Sequence, residues 1–129
     1  MKSLASKLFL LALAVATTSF GSDAVPHALL GPWVQEGLGP VATYQRRYVF
    51  NADGSYEYAF TMRNTGATTE QTLAREEGRL TVQGDQLTLS PTSGPSRRLP
   101  WRVERDPYVG DERLVLPLPD GTLDIYFRP

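Results

Sequence analysis

The 129-residue sequence contains no cysteine and only one histidine, His27. Without cysteine the chain can form no disulfide, no thiolate metal ligand and no cysteine nucleophile. A single histidine ahead of the first predicted strand, with no evident partner, supports neither a zinc site nor a Ser–His–Asp triad. The sequence therefore predicts a protein that is not an enzyme, with no catalytic residues, no metal and no cofactor.

A strong net charge is missing as well. Thirteen lysine and arginine residues oppose fourteen acidic residues, which leaves a formal net charge of −1 at pH 7. Such a balance gives no general attraction to nucleic acid or to an anionic membrane. The doublets Arg46-Arg47 and Arg97-Arg98 are too small for a nucleic-acid footprint. We therefore expect no nucleic-acid partner.

The N-terminal segment lacks an apolar run long enough to span a bilayer. It carries Lys2 and Lys7, a short apolar stretch over residues 8–16, and then small residues. This is the layout of a secretory signal peptide, cleaved after Ala16 or after Ala24, with an uncleaved anchor or a buried helix as the alternatives. We expect a periplasmic or secreted protein with no stable membrane insertion after cleavage.

The rest of the chain is predicted to be one domain. We assign residues 1–24 to the signal peptide and residues 25–129 to the domain, whose size suffices for one modest core. Apolar and polar residues alternate within it, with turn residues about every 8–12 positions, which is typical of an antiparallel sandwich or barrel. Only Glu70–Glu77 suggests a helix, through its regular polarity.

Turn residues set the register of the predicted hairpins. Asn51–Gly54 indicates a type I turn with a glycine bulge, because Gly54 tolerates a positive φ. Gly84-Asp85 and Asp120-Gly121 each predict a two-residue turn. The resulting pairs are Phe50 with Tyr56, Tyr48 with Tyr58, Arg46 with Phe60, Tyr44 with Met62, Val82 with Leu87, Leu80 with Leu89, Leu118 with Leu123, Leu116 with Ile125, and Leu114 with Phe127.

The predicted fold is all-β. Further strands cover Trp33–Glu36, about Thr69–Gln83, and one stretch through Leu99, Trp101 and Val103, for a total of about seven or eight strands. Closing the sheet removes its unpaired edges, and mostly sequential hairpins favour an up-and-down order. We therefore predict an antiparallel up-and-down β-barrel, with a two-sheet sandwich as the alternative.

Short motifs in the domain resemble those of lipocalins and bacterial lipocalin-like proteins. These motifs are Gly31-Pro32-Trp33 on the first strand, the aromatic hairpin over residues 48–56 and the hairpin over residues 78–89. The resemblance implies a lipocalin-like barrel in which Arg128 packs across Trp33. The chain is shorter than a typical lipocalin and has neither the family's disulfides nor an evident C-terminal helix.

The candidate site centres on Arg46. The predicted register places it on the same face as Tyr44 and Tyr48, with Tyr58 and Phe60 opposite. An unpaired charge inside a barrel is costly, whereas arginine suits two-pronged recognition of a carboxylate. We predict a small apolar ligand with an acid group, bound by Arg46, Tyr48, Tyr58, Tyr44 and Phe60. In the alternative, Arg46 pairs with Glu76 or reaches water.

The leading functional hypothesis is a non-catalytic, exported, lipocalin-like protein that binds a small apolar or acidic ligand inside its barrel. A second hypothesis is an envelope protein-interaction module, such as a protease inhibitor or folding helper, with a packed core and functional loops at Pro91–Ser96 and Asp106–Asp111. A third, a small-barrel isomerase or cyclase, requires an interior acid or base. Adjacent carboxylates such as Glu76 and Glu77 point to opposite faces of a strand and cannot act together.

Overall fold

The computed structural model describes residues 24–129, so the predicted signal peptide lies outside the described residues except for Ala24. One turn of 3-10 helix, His27–Leu29, precedes nine strands. The strands are β1 (Gly31–Leu38), β2 (Ala42–Phe50), β3 (Ser55–Asn64), β4 (Gln71–Gln83), β5 (Gln86–Pro91), β6 (Arg97–Pro100), β7 (Arg102–Arg105), β8 (Glu112–Pro117) and β9 (Leu123–Phe127). Within residues 24–129, no helix is long and apolar enough to cross a membrane.

All nine strands belong to one antiparallel sheet in the order β6-β5-β4-β3-β2-β1-β9-β8-β7. The all-β prediction is confirmed, and the segment that suggested a helix, Glu70–Glu77, lies in strand β4 from Gln71 onward. The prediction of seven or eight strands is wrong, because Trp101 divides one predicted strand into β6 and β7. Its backbone N–H donates to Asp85 O at 2.9 Å and its indole N–H donates to Gly84 O at 3.0 Å.

The sheet is strongly curled, although no ladder of hydrogen bonds joins its two ends. Strands β6 and β7 lie at opposite ends of the strand order and are separated along the chain only by Trp101. Leu87 and Leu89 of β5 share one core cluster with Leu114 and Leu116 of β8, so both halves of the sheet pack onto the same interior. The hydrogen-bonded sheet itself remains open.

Two predicted hairpin registers are confirmed and the third is wrong by one residue. The pairs around the β2–β3 and β4–β5 turns are as expected. In the last hairpin, Leu116 lies opposite Asp124 and Leu114 lies opposite Tyr126, because β9 is displaced by one position. A shift of one residue exchanges the two faces of a strand. Tyr126 is therefore buried in the core, while Phe127 is partly exposed.

The cause of this error lies in the turn before β9. Leu118 N–H donates to Thr122 O at 2.8 Å and Gly121 N–H donates to Leu118 O at 3.0 Å. The turn over Asn51–Ser55 closes with the same pattern of hydrogen bonds, both 3.0 Å long. Both turns thus have a glycine in the positive-φ position of a bulge, with φ values of 85° at Gly54 and 90° at Gly121. The Asp120-Gly121 turn is therefore of the bulged type and longer than two residues.

The core is built on large aromatic side chains. Trp33, Phe50, Tyr56 and Tyr126 are each at most 1% exposed. The Trp33 indole N–H donates to Leu29 O at 2.9 Å. The guanidinium carbon of Arg128 lies 3.7 Å from the centre of the Trp33 ring, so the predicted packing of these two side chains is confirmed. Arg128 also donates to the carbonyls of Ala28, Leu30 and Pro32.

Unequal strand lengths leave part of the inward face uncovered. Strands β2, β3 and β4 contain 9, 10 and 13 residues, whereas β5 to β9 contain 4 to 6. The inward face, which carries Trp33 and Phe50, is buried at the end of the sheet near the β2–β3 turn. Towards the β1–β2 and β3–β4 turns, the same face bears the half-buried Tyr44 and Phe60 and the exposed Arg46. We refer to this end of the sheet as the mouth.

Candidate functional site

The five predicted ligand-binding residues lie together on the inward face of β2 and β3. Tyr44 and Phe60 have ring centres 6.0 Å apart, and Tyr48 and Tyr58 have ring centres 4.8 Å apart. The guanidinium carbon of Arg46 lies 5.1 Å from the centre of the Phe60 ring. The β2–β3 register brings these side chains together, because Arg46 lies directly opposite Phe60, Tyr48 lies directly opposite Tyr58, and Tyr44 lies diagonally across from Phe60.

The exposure of these side chains increases from the core towards the mouth. Tyr48 is 7% exposed and packs against Phe50 and Tyr126, with ring centres 5.3 Å apart in both cases. Tyr58 is half-buried opposite Tyr48 on β3, and Arg46, two positions nearer the mouth, is exposed. The guanidinium therefore stands at the open end of the inward face, where water can reach it and the cost of an isolated buried charge does not arise.

An open depression surrounds Arg46. Its volume is about 390 Å³ and its lining comprises Gln35, Glu36, Gly37, Tyr44, Arg46 and Phe60. The rings of Tyr44 and Phe60 form part of its wall, and the guanidinium of Arg46 supplies hydrogen-bond donors. The shape is a shallow bowl at the mouth, with the packed core cluster below it.

The expected alternative partner of Arg46 is wrong. Glu76 pairs with Arg97, which donates hydrogen bonds of 3.0 and 2.9 Å to its two carboxylate oxygens. Tyr56 donates a further hydrogen bond of 2.7 Å to the same carboxylate. Among residues 24–129, Arg46 has no ion pair with any carboxylate.

The Glu76–Arg97 pair shapes the electrostatics below the mouth. Hydrogen bonding from Arg97 holds the pKa of Glu76 below its ordinary value of 4.5, and the same bond raises the pKa of Arg97. Burial raises the pKa of Tyr48 to about 12. Burial also raises the pKa of Tyr56, reinforced by its hydrogen bond to Glu76. These tyrosines are therefore neutral hydrogen-bond donors at any physiological pH.

A second polar group lies on the other side of the inward face. The side-chain amide of Gln35 donates to Asp124 Oδ1 at 2.6 Å and to the backbone carbonyl of Ile125 at 3.1 Å. The hydroxyl of Tyr126 donates to Asp124 Oδ2 at 3.0 Å. Asp124 is half-buried and lies directly above Tyr126 on β9. The register in the structure thus places the Asp124 carboxylate on the inward face, whereas the predicted register placed it on the outer face.

The two inward-facing carboxylates are both engaged in hydrogen bonds. Both oxygens of Glu76 are occupied by Arg97 and Tyr56, and the oxygens of Asp124 each accept one hydrogen bond. The described residues contain no group of three or more histidine, aspartate or glutamate side chains that could hold a metal ion. What the mouth offers chemically is a set of positioned donors beside aromatic surfaces.

Sequence reasoning missed Gln35, Arg97, Asp124 and Tyr126. Two of them follow from simple alternation, since Gln35 is two positions after Trp33 and Arg97 is two positions before Leu99. The other two required the correct register of the last hairpin. That register was available from the Asp-Gly-Ser and Asp-Gly-Thr similarity of the two bulged turns, in which Asp53 and Asp120 make equivalent hydrogen bonds.

Comparison with known proteins shows no matching family model, no matching curated protein and no matching solved structure.

Proposed function

We propose that this chain is an exported, non-catalytic, lipocalin-like binding protein whose mouth holds a small apolar ligand with an acid group. One observation carries the proposal. Arg46 stands on the inward face of the sheet beside aromatic rings, and it forms no ion pair with any carboxylate among residues 24–129. A positioned guanidinium without a counter-ion is suited to a carboxylate brought by a ligand.

The surroundings of Arg46 support an apolar portion in the same ligand. The rings of Tyr44 and Phe60 line the bowl, and Met62 lies opposite Tyr44 on the same face. Stacking on Phe60 restrains the guanidinium, so less side-chain freedom is lost when an anion binds. The half-buried Tyr58 lies across from Tyr48, one level nearer the core than Arg46 and Phe60.

The lipocalin-like barrel and the exported location belong to the same proposal. The contact between Arg128 and Trp33 is the one that the family resemblance implies. The curled sheet, whose ends meet at Trp101 around one core cluster, supports a barrel over a two-sheet sandwich. Export is proposed from the signal-like residues 1–24 alone.

A titration with a fluorescent fatty acid tests the ligand site. Arg46→Gln removes the charge on the inward face, and Arg47→Gln removes a charge from the next residue, which is also exposed and points to the opposite face. We expect Arg46→Gln to weaken binding by about 10-fold or more, in line with the loss of a hydrogen bond between charged groups, and Arg47→Gln to leave it unchanged. Equal binding by the wild type and Arg46→Gln, or binding by neither, contradicts the proposal.

A second candidate function, protein interaction, is favoured by the β7–β8 turn. Tyr108 is 94% exposed and Val109 is 68% exposed at its tip. The turn is nonetheless held in one shape, because Asp106 Oδ1 accepts from the N–H groups of both residues at 2.8 and 3.1 Å and Gly110 N–H donates to Asp106 O at 2.9 Å. Tyrosine presented by a rigid turn is a common anchor of protein interfaces.

Photocrosslinking tests this second function. The turn over Asp106–Asp111 lies at the opposite end of the sheet from the mouth, so a crosslinker can be placed at either end independently. We expect a crosslinking residue at position 108 to form one discrete adduct in the cells that produce the protein. The same residue at position 38, where Leu38 is 90% exposed at the mouth, is the matched control and should form none. Identical adduct patterns at both positions, or none at position 108, contradict an interface at this turn.

A further inference from the structure

A row of side chains crosses the inward face at the level of Arg46. Gln35 of β1 lies directly opposite Arg46 of β2, and Arg46 lies directly opposite Phe60 of β3. On the other side of β1, Gln35 donates its 2.6 Å hydrogen bond to Asp124 of β9. The order across four neighbouring strands is therefore a carboxylate, an amide, a guanidinium and an aromatic ring.

The two charges of this row, on Asp124 and Arg46, differ from those of the inward-facing pair Glu76 and Arg97. Glu76 and Arg97 neutralise each other. Among residues 24–129, the side chain of Asp124 accepts hydrogen bonds from two neutral groups, the amide of Gln35 and the hydroxyl of Tyr126, and from no cationic side chain. Among residues 24–129, neither Asp124 nor Arg46 has an opposite charge within ion-pair distance.

The spacing of the two charges is set by the sheet. Asp124 and Arg46 lie on strands that are two apart, with β1 between them, and neighbouring strands of a sheet are about 4.8 Å apart. Both side chains project inward from there, with Gln35 between them. Burial is the largest cause that raises the pKa of Tyr58, and smaller effects come from Arg46, which lowers it, and Asp124, which raises it. Both charges therefore lie near Tyr58 on the inward face.

We infer that the mouth binds a zwitterionic ligand, whose carboxylate pairs with Arg46, whose ammonium group pairs with Asp124 and whose apolar portion lies on Tyr44 and Phe60. The inference rests on the proposed function and narrows its ligand to amino acids and short peptides with an apolar side chain. A purely anionic ligand would gain the Arg46 contact but would bring its charge near Asp124. A zwitterion satisfies both charges, and each carboxylate oxygen of Asp124 retains a lone pair for it.

Calorimetric titration with three probes tests the inference. The probes are the dipeptide phenylalanylphenylalanine, its N-acetyl derivative, which keeps only the acid, and its C-terminal amide, which keeps only the amine. We expect the wild type to bind the free dipeptide about 10-fold more tightly than either derivative, since each derivative loses one charged hydrogen bond. Asp124→Asn should remove the preference over the N-acetyl form. Arg46→Gln should remove the preference over the amide, and Arg47→Gln should change neither.

The outcomes separate this inference from the proposed function. If the wild type binds the N-acetyl form as well as the free dipeptide, Asp124 has no role and the inference is wrong, while the acid site at Arg46 stands. If none of the three probes binds but the fluorescent fatty acid does, the inference is again wrong and the proposed function survives. If neither the peptides nor the fatty acid binds, both fail. If Asp124→Asn disturbs folding, the comparison of the three probes on the wild type still shows whether the ammonium group of the ligand contributes to binding.

Discussion

Arg97 and Glu76 face each other across the interior of the curled sheet, joined by hydrogen bonds of 3.0 and 2.9 Å. Arg97 belongs to the edge strand β6 and Glu76 to β4, so the ion pair passes over the intervening strand β5. Tyr56 donates to the same carboxylate from β3. The ion pair and the Tyr56 hydrogen bond thus connect the four-residue edge strand β6 to the long strands β4 and β3.

Replacing Arg97 by methionine should lower the free energy of unfolding by about 1–2 kcal/mol, measured by chemical denaturation. The substitution leaves the Glu76 carboxylate without its charged partner. The loss stays moderate because the Arg97 and Glu76 side chains are 41% and 23% exposed and water screens the pair. Arg98→Met is the matched control, an exposed neighbour on the same strand, with an expected change within about 0.5 kcal/mol. Equal denaturation midpoints for the two variants would contradict the role of the pair.

Lowering the pH should destabilise the wild type more than it destabilises the Glu76→Gln variant. The pKa of Glu76 lies below its ordinary value of 4.5 in the folded protein, chiefly through the hydrogen bond from Arg97. The unfolded chain therefore takes up the proton at higher pH than the folded one. The stabilising contribution is complete above the unfolded pKa and is lost as pH falls through the folded pKa. Melting temperatures between about pH 5 and pH 3 should fall more steeply for the wild type, and parallel curves would rule out this contribution.

Alkaline pH should destabilise the protein from about pH 10 upward. Burial raises the pKa of Tyr48 from 10.0 to about 12 and also raises the pKa of Tyr56 and Tyr126. Because the unfolded chain loses these protons first, the stability contribution is present below pH 10 and disappears as pH rises through the folded pKa values. Absorbance titration of tyrosinate should show these residues ionising later in the native protein than in denaturant. Coincident titration curves would contradict their burial.

Glycine is required at position 78 by a close approach of two strands. A Cβ atom there would lie 2.2 Å from Ser90 O and 2.6 Å from Pro91 Cα, both backbone atoms of β5. Gly78→Ala should therefore cost about 1–3 kcal/mol, the range for forcing extra volume into a packed site. Gly37→Ala is the matched control in β1, where the new methyl group meets nothing within 4 Å. Denaturation midpoints that fall equally for both variants would show that crowding at Gly78 is unimportant.

Replacing Trp33 by alanine should cost about 3–5 kcal/mol, the range for deleting a large buried aromatic side chain. Trp33 is completely buried, donates to Leu29 O and supports the guanidinium of Arg128. Leu38→Ala serves as the control, because Leu38 is 90% exposed and its loss should change the free energy of unfolding by about 0.5 kcal/mol at most. A melting temperature for Trp33→Ala within error of the wild type would disprove the anchoring role.

The local hairpins were predictable because each depends on a turn of a few residues. The glycine bulge after Asn51 and the tight turn at Gly84 set the facing pairs of β2–β3 and β4–β5, and both registers agree with the structure. The cluster of Arg46 with its aromatic neighbours followed from the first of these. The last hairpin shows that a register prediction depends on the exact loop length. One additional loop residue moved Asp124 to the inward face and Phe127 to the outer face.

The sequence by itself determined the all-β character of the domain, two of the three local registers and the face on which Arg46 lies. Only the tertiary structure decided which distant side chains meet. Gln35 reaches Asp124 across 89 positions of the chain, and Arg97 passes over β5 to Glu76. Alternation along a strand specifies a face but not the strand that lies beside it or across the interior. That choice arises from the curl of the whole sheet around one core, in which neither Arg46 nor Asp124 forms an ion pair with any of residues 24–129.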